Sequence, residues 1–229
     1  MEYSHDIPQE KLGTSSSTAT LKVDFRWTKL KAHITTVEAD IHDPSTVPVY
    51  TLSFQTLKSP HLIFHPGNDT TSVIGTGTIH AISINPDYEL HGKPGTIKAL
   101  RRFHTVYEHI SSVLRNPGGA PMPMTWTSDT NFKTWDFVCV DDQQNPVAKF
   151  STNIWMVKKV GNIEFMDKNI SDELRDEIVV TGLTLYYCMA TRVNNIFNLF
   201  GAVFSRPGRH SEEEVEKRDD KRGSEVVGS

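Results

Sequence analysis

The chain has little of what disulfide-linked, catalytic or nucleic-acid-binding proteins usually need. Only two cysteines, Cys139 and Cys188, occur in 229 residues, so neither a disulfide framework nor a thiolate metal site is expected. The chain also has no excess of positive charge, since its formal net charge is -4 at pH 7. A nucleic-acid partner normally requires a strongly basic face. Motifs of the GxSxG, phosphate-loop and HExxH types are missing too. We therefore predict no catalytic residues, no metal, no cofactor and no nucleic-acid partner.

The first residues of the chain also lack a basic stretch followed by an apolar one. This pattern predicts a protein that stays in the cytoplasm. The length suits one large β domain, and we expect a monomer. Residues 1–20 are polar and residues 205–229 carry mixed charge without apolar anchors, which predicts a disordered arm and a disordered tail.

Short β-strands are predicted from residue 21 to residue 166, because apolar residues alternate there between turn residues. Leu21, Val23 and Phe25 form one such alternating set, and Tyr50, Leu52 and Phe54 form another. One segment, 106–114, fits either a strand or a short helix. The clearest turns are a hairpin loop at 141–146 and a tight turn at Gly161 and Asn162.

A helix over about 172–200 is predicted to follow these strands. Ser171 is a good N-cap, and Asp172, Glu173, Asp176 and Glu177 are acids that favour the positive end of a helix dipole. The following run, Ile178–Thr191, is uncharged on every face, so it must be surrounded by protein or by lipid.

The protein interior is the favoured surrounding for this helix. Arg192 lies near the centre of the stretch Ile178–Phe204, and a central arginine costs on the order of 3 kcal/mol in a membrane span. A β-barrel offers a closed apolar wall instead. The alternative is that 178–204 is a membrane anchor.

Four segments carry a family resemblance, and they are TWDFVCVD at 134–141, VAKF at 147–150, KKVGNIEF at 158–165 and DELRDEIVVTGL at 172–183. Over about residues 21–204 the chain resembles the tubby C-terminal-like superfamily, which includes tubby, phospholipid scramblase and LURP-one-related proteins, and it is most similar to fungal members. The resemblance implies a mainly β fold, a closed barrel of about twelve strands around a hydrophobic C-terminal helix. It also implies a non-enzymatic binding or scaffold domain.

Anionic lipid headgroups, phosphoinositides above all, are the ligand class that the resemblance implies, with a protein partner as the other possibility. Two basic groups are the candidate residues for headgroup binding: Lys98, Arg101 and Arg102, and Lys158 and Lys159. Arginine forks match phosphate oxygens, but charged residues that protect a strand edge from aggregation look the same. We expect a cytoplasmic protein peripheral to the membrane. The alternative function is a scramblase-like protein anchored by 178–204, although a scramblase-type cysteine-rich or calcium-binding segment is missing.

Other motifs favour structural roles. His61 and His65 have HxxxH spacing, but on a strand they would lie about 13 Å apart, too far to share a metal ion. Gly75-Thr76-Gly77 lacks the third glycine of a dinucleotide-binding loop, and we predict a strand bulge there. Asp141 and Asp142 fit a hairpin tip. An enzyme whose residues are scattered in sequence and clustered in space remains a third possibility.

Overall fold

The described part of the chain forms thirteen β-strands followed by one α-helix. The computed structural model describes residues 19–37, 47–101, 105–130, 134–153 and 160–204. A 3-10 turn, Trp27–Lys29, follows the first strand. The strands are β1 Ala19–Arg26, β2 Lys31–Thr36, β3 Tyr50–Phe54, β4 Leu62–Pro66, β5 Gly75–Thr78, β6 Asp87–Leu90, β7 Lys93–Thr96, β8 Lys98–Ala99, β9 Val106–Arg115, β10 Pro121–Thr130, β11 Thr134–Val140, β12 Pro146–Asn153 and β13 Val160–Phe165, and the helix is α1 Asp172–Phe204.

All thirteen strands belong to a single antiparallel sheet, in which β1 pairs with both β2 and β13. The two ends of the sheet are β7 and β8, which are separated in the chain only by Ile97. The chain therefore runs directly from one terminal strand of the sheet to the other, and the sheet nearly closes into a barrel. Across this seam the Tyr88 hydroxyl donates a hydrogen bond to the Ile110 carbonyl at 3.3 Å. The predicted barrel is confirmed, with thirteen strands rather than about twelve.

The chain divides into two units, the first ending at Cys188 and the second beginning at Met189. The first unit holds all the strands and the beginning of α1. Within it, Leu183 and Leu185 are at most 1% exposed, and the Tyr186 ring lies 5.4 Å from the Phe25 ring. The Phe150 ring packs against the same tyrosine at 5.3 Å. This part of the apolar helix is thus enclosed by the chain's own strands, as predicted. The described part of the second unit, 189–204, is helical.

The start of α1 also follows the prediction. The Ser171 hydroxyl oxygen accepts a hydrogen bond from the Leu174 N–H at 3.3 Å, which is the N-cap contact. The helix runs four residues beyond the predicted end at 200 and reaches Phe204. The first strand begins at Ala19, inside the arm predicted for 1–20. Residues 1–18 and 205–229 lie outside the described residues.

Several strand predictions are confirmed. Leu21, Val23 and Phe25 are buried in β1, and the ambiguous segment 106–114 lies in strand β9. The loop between β11 and β12 is the predicted hairpin tip, where the Asp141 carboxylate accepts hydrogen bonds from the backbone N–H groups of the loop.

Two predictions about glycines are wrong, and both fail for the same reason. Gly161 and Asn162 lie inside β13 rather than in a turn, since Gly161 pairs with Val23 on one side and with Thr152 on the other. A Cβ atom at Gly161 would lie 2.8 Å from a ring carbon of Phe150. The glycine therefore makes room for an aromatic ring instead of turning the chain.

The bulge predicted at Gly75-Thr76-Gly77 is the second case. These residues form β5, whose register runs without a shift against both β4 and β6. A Cβ atom at Gly77 would lie 2.4 Å from the Thr184 Oγ1 atom, and one at Gly75 would lie 3.0 Å from Val180 Cγ2. The glycines allow α1 to approach the strand closely.

A methyl group at this contact should therefore destabilise the fold. We expect Gly77→Ala to lower the free energy of unfolding by about 1–3 kcal/mol, because overpacking forces side chains off their preferred positions. Thermal unfolding would measure the effect. Gly118→Ala is the matched control, since its Cβ atom would meet only the Asn116 side chain at 3.4 Å. Equal melting temperatures for the two variants would contradict the close packing of α1 on β5.

Candidate functional site

The two ends of the barrel differ in the charged residues that they expose. Because each strand runs antiparallel to the next, the loops β1–β2, β3–β4, β5–β6 and β8–β9 share the end opposite to the start of α1. Lys29, Lys31, Lys58 and Arg101 are exposed at this end, and Lys98 is exposed on β8 as it runs toward it. We call these five residues and their loops the basic end.

Acidic residues also lie at the basic end, and some of them contact a neighbouring side chain. The Asp24 carboxylate pairs with Arg26 at 3.0 Å, and Asp87 bonds the His80 imidazole at 2.8 Å. Glu108 lies opposite Lys98 in the β8–β9 pair. Among the ion pairs of the described residues, none involves Lys29, Lys31, Lys58, Lys98 or Arg101. These exposed cations are the candidate contacts for an external anion.

The other end, where α1 begins, is predominantly acidic. Its loops and the first turn of the helix carry the carboxylates of Asp69, Asp141, Asp142, Asp167, Asp172 and Glu173. The exposed basic residues there are fewer, and they are Lys93, Arg115 and Lys168. We call this the acidic end. A net charge of -4 thus hides a separation of charge along the barrel.

Two of the five predicted headgroup residues are described by the structure, and both lie at the basic end. Lys98 and Arg101 belong to the basic end, whereas Arg102, Lys158 and Lys159 lie outside the described residues. Val160, at the start of β13, pairs with Asp24 near the basic end. Lys98 also lies on a terminal strand of the sheet, so edge protection remains an alternative role for it.

Lys29, Lys31 and Lys58 were not predicted as site residues. Each is a single charge in a separate turn, and only the strand order brings the turns to one end.

Three histidines lie near the basic end. The pKa of His33 is lowered by burial and then by the positive charge of Arg26, although Asp24 opposes the shift. The pKa of His61 is lowered by burial and by His80. The His61 Nδ1 atom accepts a hydrogen bond from the backbone N–H of Ile79 at 3.1 Å. Among the described residues, no group of three or more His, Cys, Asp or Glu side chains is placed to hold a metal ion.

A buried carboxylate, Glu177, is the second polar feature of the barrel. It lies on α1 with its side chain fully buried, and the His109 Nε2 atom on β9 is 3.1 Å from its Oε1 atom. Its Oε2 atom accepts hydrogen bonds from the Ser111 hydroxyl at 3.1 Å and from the Ser112 N–H at 3.0 Å. Burial by itself would raise the pKa of Glu177, but the hydrogen bonds and charge of His109, together with the serine hydroxyls, hold that pKa below its ordinary value.

The local backbone explains why a carboxylate is needed at this position. The β9–β10 register shifts between Pro121 and Pro123, so residues 111–114 of β9 leave the regular ladder. The Ser111 hydroxyl accepts hydrogen bonds from the backbone N–H groups of Val113 and Leu114. The Glu177 carboxylate accepts one from the backbone N–H of Ser112. The helix thus supplies an acceptor that a neighbouring strand would otherwise provide.

Glu177 lies in the first turns of α1, as the sequence predicts, but its burial was not predicted. Asp172 and Glu173 are exposed, whereas Glu177 is fully buried. Since neither Glu177 nor His109 reaches solvent, the geometry suits a stabilising role.

A second set of contacts fastens the start of α1 to the acidic end. The Tyr50 hydroxyl donates a hydrogen bond to Asp176 and accepts one from Arg175 Nε at 3.0 Å. Burial and the hydrogen bond to Asp176 raise the pKa of Tyr50. His91 Nε2 lies 3.1 Å from the same aspartate, and Arg175 also pairs with Asp172 at 2.8 Å. These contacts fix the direction in which the helix enters the barrel.

Loss of the buried carboxylate should destabilise the protein. We expect Glu177→Ala to cost about 3–5 kcal/mol of unfolding free energy, because it leaves the histidine and serine groups buried without their acceptor. Glu173→Ala, at an exposed position of the same helix, should stay within about 0.5 kcal/mol of the wild type. Chemical denaturation of both variants would measure the difference.

The stability of the protein at low pH should also depend on Glu177. The pKa of Glu177 is lower in the folded chain than its ordinary value of 4.5, so the unfolded chain binds this proton more tightly. The stabilisation is present above pH 4.5 and is lost as the pH falls through the folded pKa. Glu177→Gln should flatten this part of the stability curve, and an unchanged slope would contradict the buried ionised state.

The described residues thus offer one open feature, the basic end, and one enclosed feature, the Glu177 cluster. No helix among the described residues combines the length and apolar character that a membrane crossing requires. Comparison with protein-family models, with curated proteins and with solved structures found no match to this chain.

Proposed function

We propose that this chain is a non-enzymatic, tubby-like binding domain whose basic end contacts anionic membrane lipids, with phosphoinositide headgroups as the favoured ligands. It would work in the cytoplasm as a peripheral membrane protein. The observation that carries the proposal is the separation of exposed charge, with Lys29, Lys31, Lys58 and Arg101 at one end and the acidic loops at the other.

The distribution of charge should orient the barrel on an anionic membrane. A basic residue near an anionic leaflet contributes on the order of 1 kcal/mol, and the contribution falls off within a Debye length. Several such residues on one end would bind that end to the membrane, while the acidic end would be repelled from it. The charges orient the barrel as well as attracting it.

The barrel suits a binding role because it holds the loops rigidly. The backbone N–H of Phe54 donates a hydrogen bond to the Leu30 carbonyl at 2.8 Å, which fixes the β1–β2 tip beside the end of β3. The N–H of Gln55 donates to the His61 carbonyl at 2.7 Å and closes the base of the β3–β4 loop. Lysines presented in this way lose less conformational freedom when they bind.

Charge reversal at the basic end should abolish binding to anionic vesicles. The test variant is Lys31→Glu, Lys58→Glu and Arg101→Glu combined, assayed by flotation with phosphatidylcholine vesicles with and without phosphoinositide. We expect the wild type to float only with phosphoinositide, and the variant to remain at the bottom of the gradient, because repulsion replaces attraction.

The control variant reverses three exposed basic residues of the acidic end, and these are Lys93, Arg115 and Lys168. It has the same net charge as the test variant and should still float. Equal recovery of the wild type with neutral and phosphoinositide vesicles would refute the lipid proposal. Loss of binding in both variants would show that net charge, and not the basic end, is responsible.

Acidification should strengthen the same binding. The lowered pKa values of His33 and His61 keep both residues neutral at pH 7, and their protonation at lower pH adds positive charge to the basic end. The neighbouring charges are Asp24, Arg26, Lys29 and Lys31 around His33, and His80, which bonds Asp87, beside His61.

The measurement is vesicle affinity at pH 7 and pH 5 for the wild type and for His33→Gln combined with His61→Gln. We expect the wild type to bind more tightly at pH 5 and the double variant to show a smaller increase. An equal increase in both proteins would assign the pH effect to other groups.

A further inference from the structure

The basic end also exposes large apolar side chains at its loop tips. Leu57 in the β3–β4 loop is 95% exposed, and Ile82 in the β5–β6 loop is 96% exposed. Leu30, at the β1–β2 tip, is 43% exposed. Apolar side chains are exposed at the acidic end too, at Val37, Val47, Val73 and Met166, but none there exceeds 67% exposure. Leu57 and Ile82 are exposed almost completely, and with Leu30 they lie on neighbouring loops of the basic end.

Each of two tips places its apolar residue directly beside basic ones. Leu30 lies between the exposed Lys29 and Lys31, and Leu57 precedes the exposed Lys58. Leu30 also adopts a left-handed backbone conformation with φ of 51°, which is unfavourable for a leucine. The tip keeps a large apolar residue at a strained, solvent-exposed position where a glycine or asparagine would fit more easily.

We propose that Leu30, Leu57 and Ile82 insert into the interfacial region of an anionic bilayer when the basic end docks. This inference rests on the proposed function and adds a second, apolar component to it. Charge complementarity identifies the occupant, because the lysines beside the tips match headgroup phosphates while the leucines match the acyl boundary below them. An apolar protein partner would not by itself require the lysines.

Insertion and electrostatic contact make different predictions. Electrostatic contact alone depends on the lysines and is screened by salt. Insertion depends on the apolar side chains and survives salt, since burial of apolar surface is not screened. A variant that keeps every charge and removes only the apolar side chains therefore separates the two components.

The first measurement reports the environment of each tip. An environment-sensitive fluorophore is attached to Leu57→Cys or to Ile82→Cys, and its emission is recorded with phosphoinositide vesicles and with phosphatidylcholine vesicles. Both native cysteines, Cys139 and Cys188, are buried, so labelling should be confined to the introduced site. Val73→Cys is the matched control, because Val73 is 52% exposed in a loop at the acidic end.

We expect a blue shift at positions 57 and 82 with the anionic vesicles and no shift at position 73. Labels at 57 and 82 that are unshifted by either vesicle would overturn the inference and would leave a protein as the partner of these tips. An equal shift at position 73 would overturn it as well, because the docking would then have no preferred end.

The second measurement is the affinity of the variant Leu30→Asn, Leu57→Asn and Ile82→Asn for phosphoinositide vesicles. We expect binding weaker by on the order of a hundredfold, and a melting temperature that is not lowered, because the replaced side chains are exposed. Unchanged affinity, together with loss of binding in the charge-reversed variant, would refute insertion and leave the proposed function standing. If the charge-reversed variant also bound normally, both proposals would fall.

Discussion

The enclosure of an apolar helix by its own sheet is the constraint on which the rest of this structure depends. The first part of α1 buries side chains on all its faces, and the strands of the sheet pack their buried side chains around it. The dependence is mutual at the seam, where the bulged residues of β9 need an acceptor and Glu177 on the helix provides it. A helix that satisfies part of the sheet's backbone cannot leave without exposing those groups, so barrel and helix should fold and unfold together.

Close packing around the helix also explains where glycine occurs in the sheet. Val180 and Thr184 press against β5 at Gly75 and Gly77, and the Phe150 ring occupies the space above Gly161. Because the interior is filled in this way, the inward faces of the strands are committed to packing. Variation in charge and shape is left to the loops, which are the part of the barrel that can carry a binding function.

The sequence predicted those features that depend on local periodicity. The alternation in β1 and β3, the N-cap at Ser171 and the uncharged run after Glu177 each carry their own signal. Gly161 was misassigned because a glycine that makes room for a ring and a glycine that turns the chain look alike without the neighbouring side chains. The burial of Glu177 was missed because Glu177 follows other acids in the same helix, and only the bulge in β9 distinguishes it. Lys29, Lys31 and Lys58 were missed as well, since they come together with Lys98 and Arg101 only through strand pairing.

Net charge is a poor guide to the partner of such a barrel. The formal charge of -4 predicts repulsion from an anionic surface, yet a strand of eight residues such as β1 spans about 26 Å, and the two ends of the barrel are separated by a comparable length. At physiological ionic strength the Debye length is about 8 Å, so a surface that touches one end is largely screened from the other. The partner responds to the charge of the nearer end. An excess of acid placed far from the basic loops therefore does not oppose their attraction to phosphate, and it helps to select the orientation in which the barrel arrives.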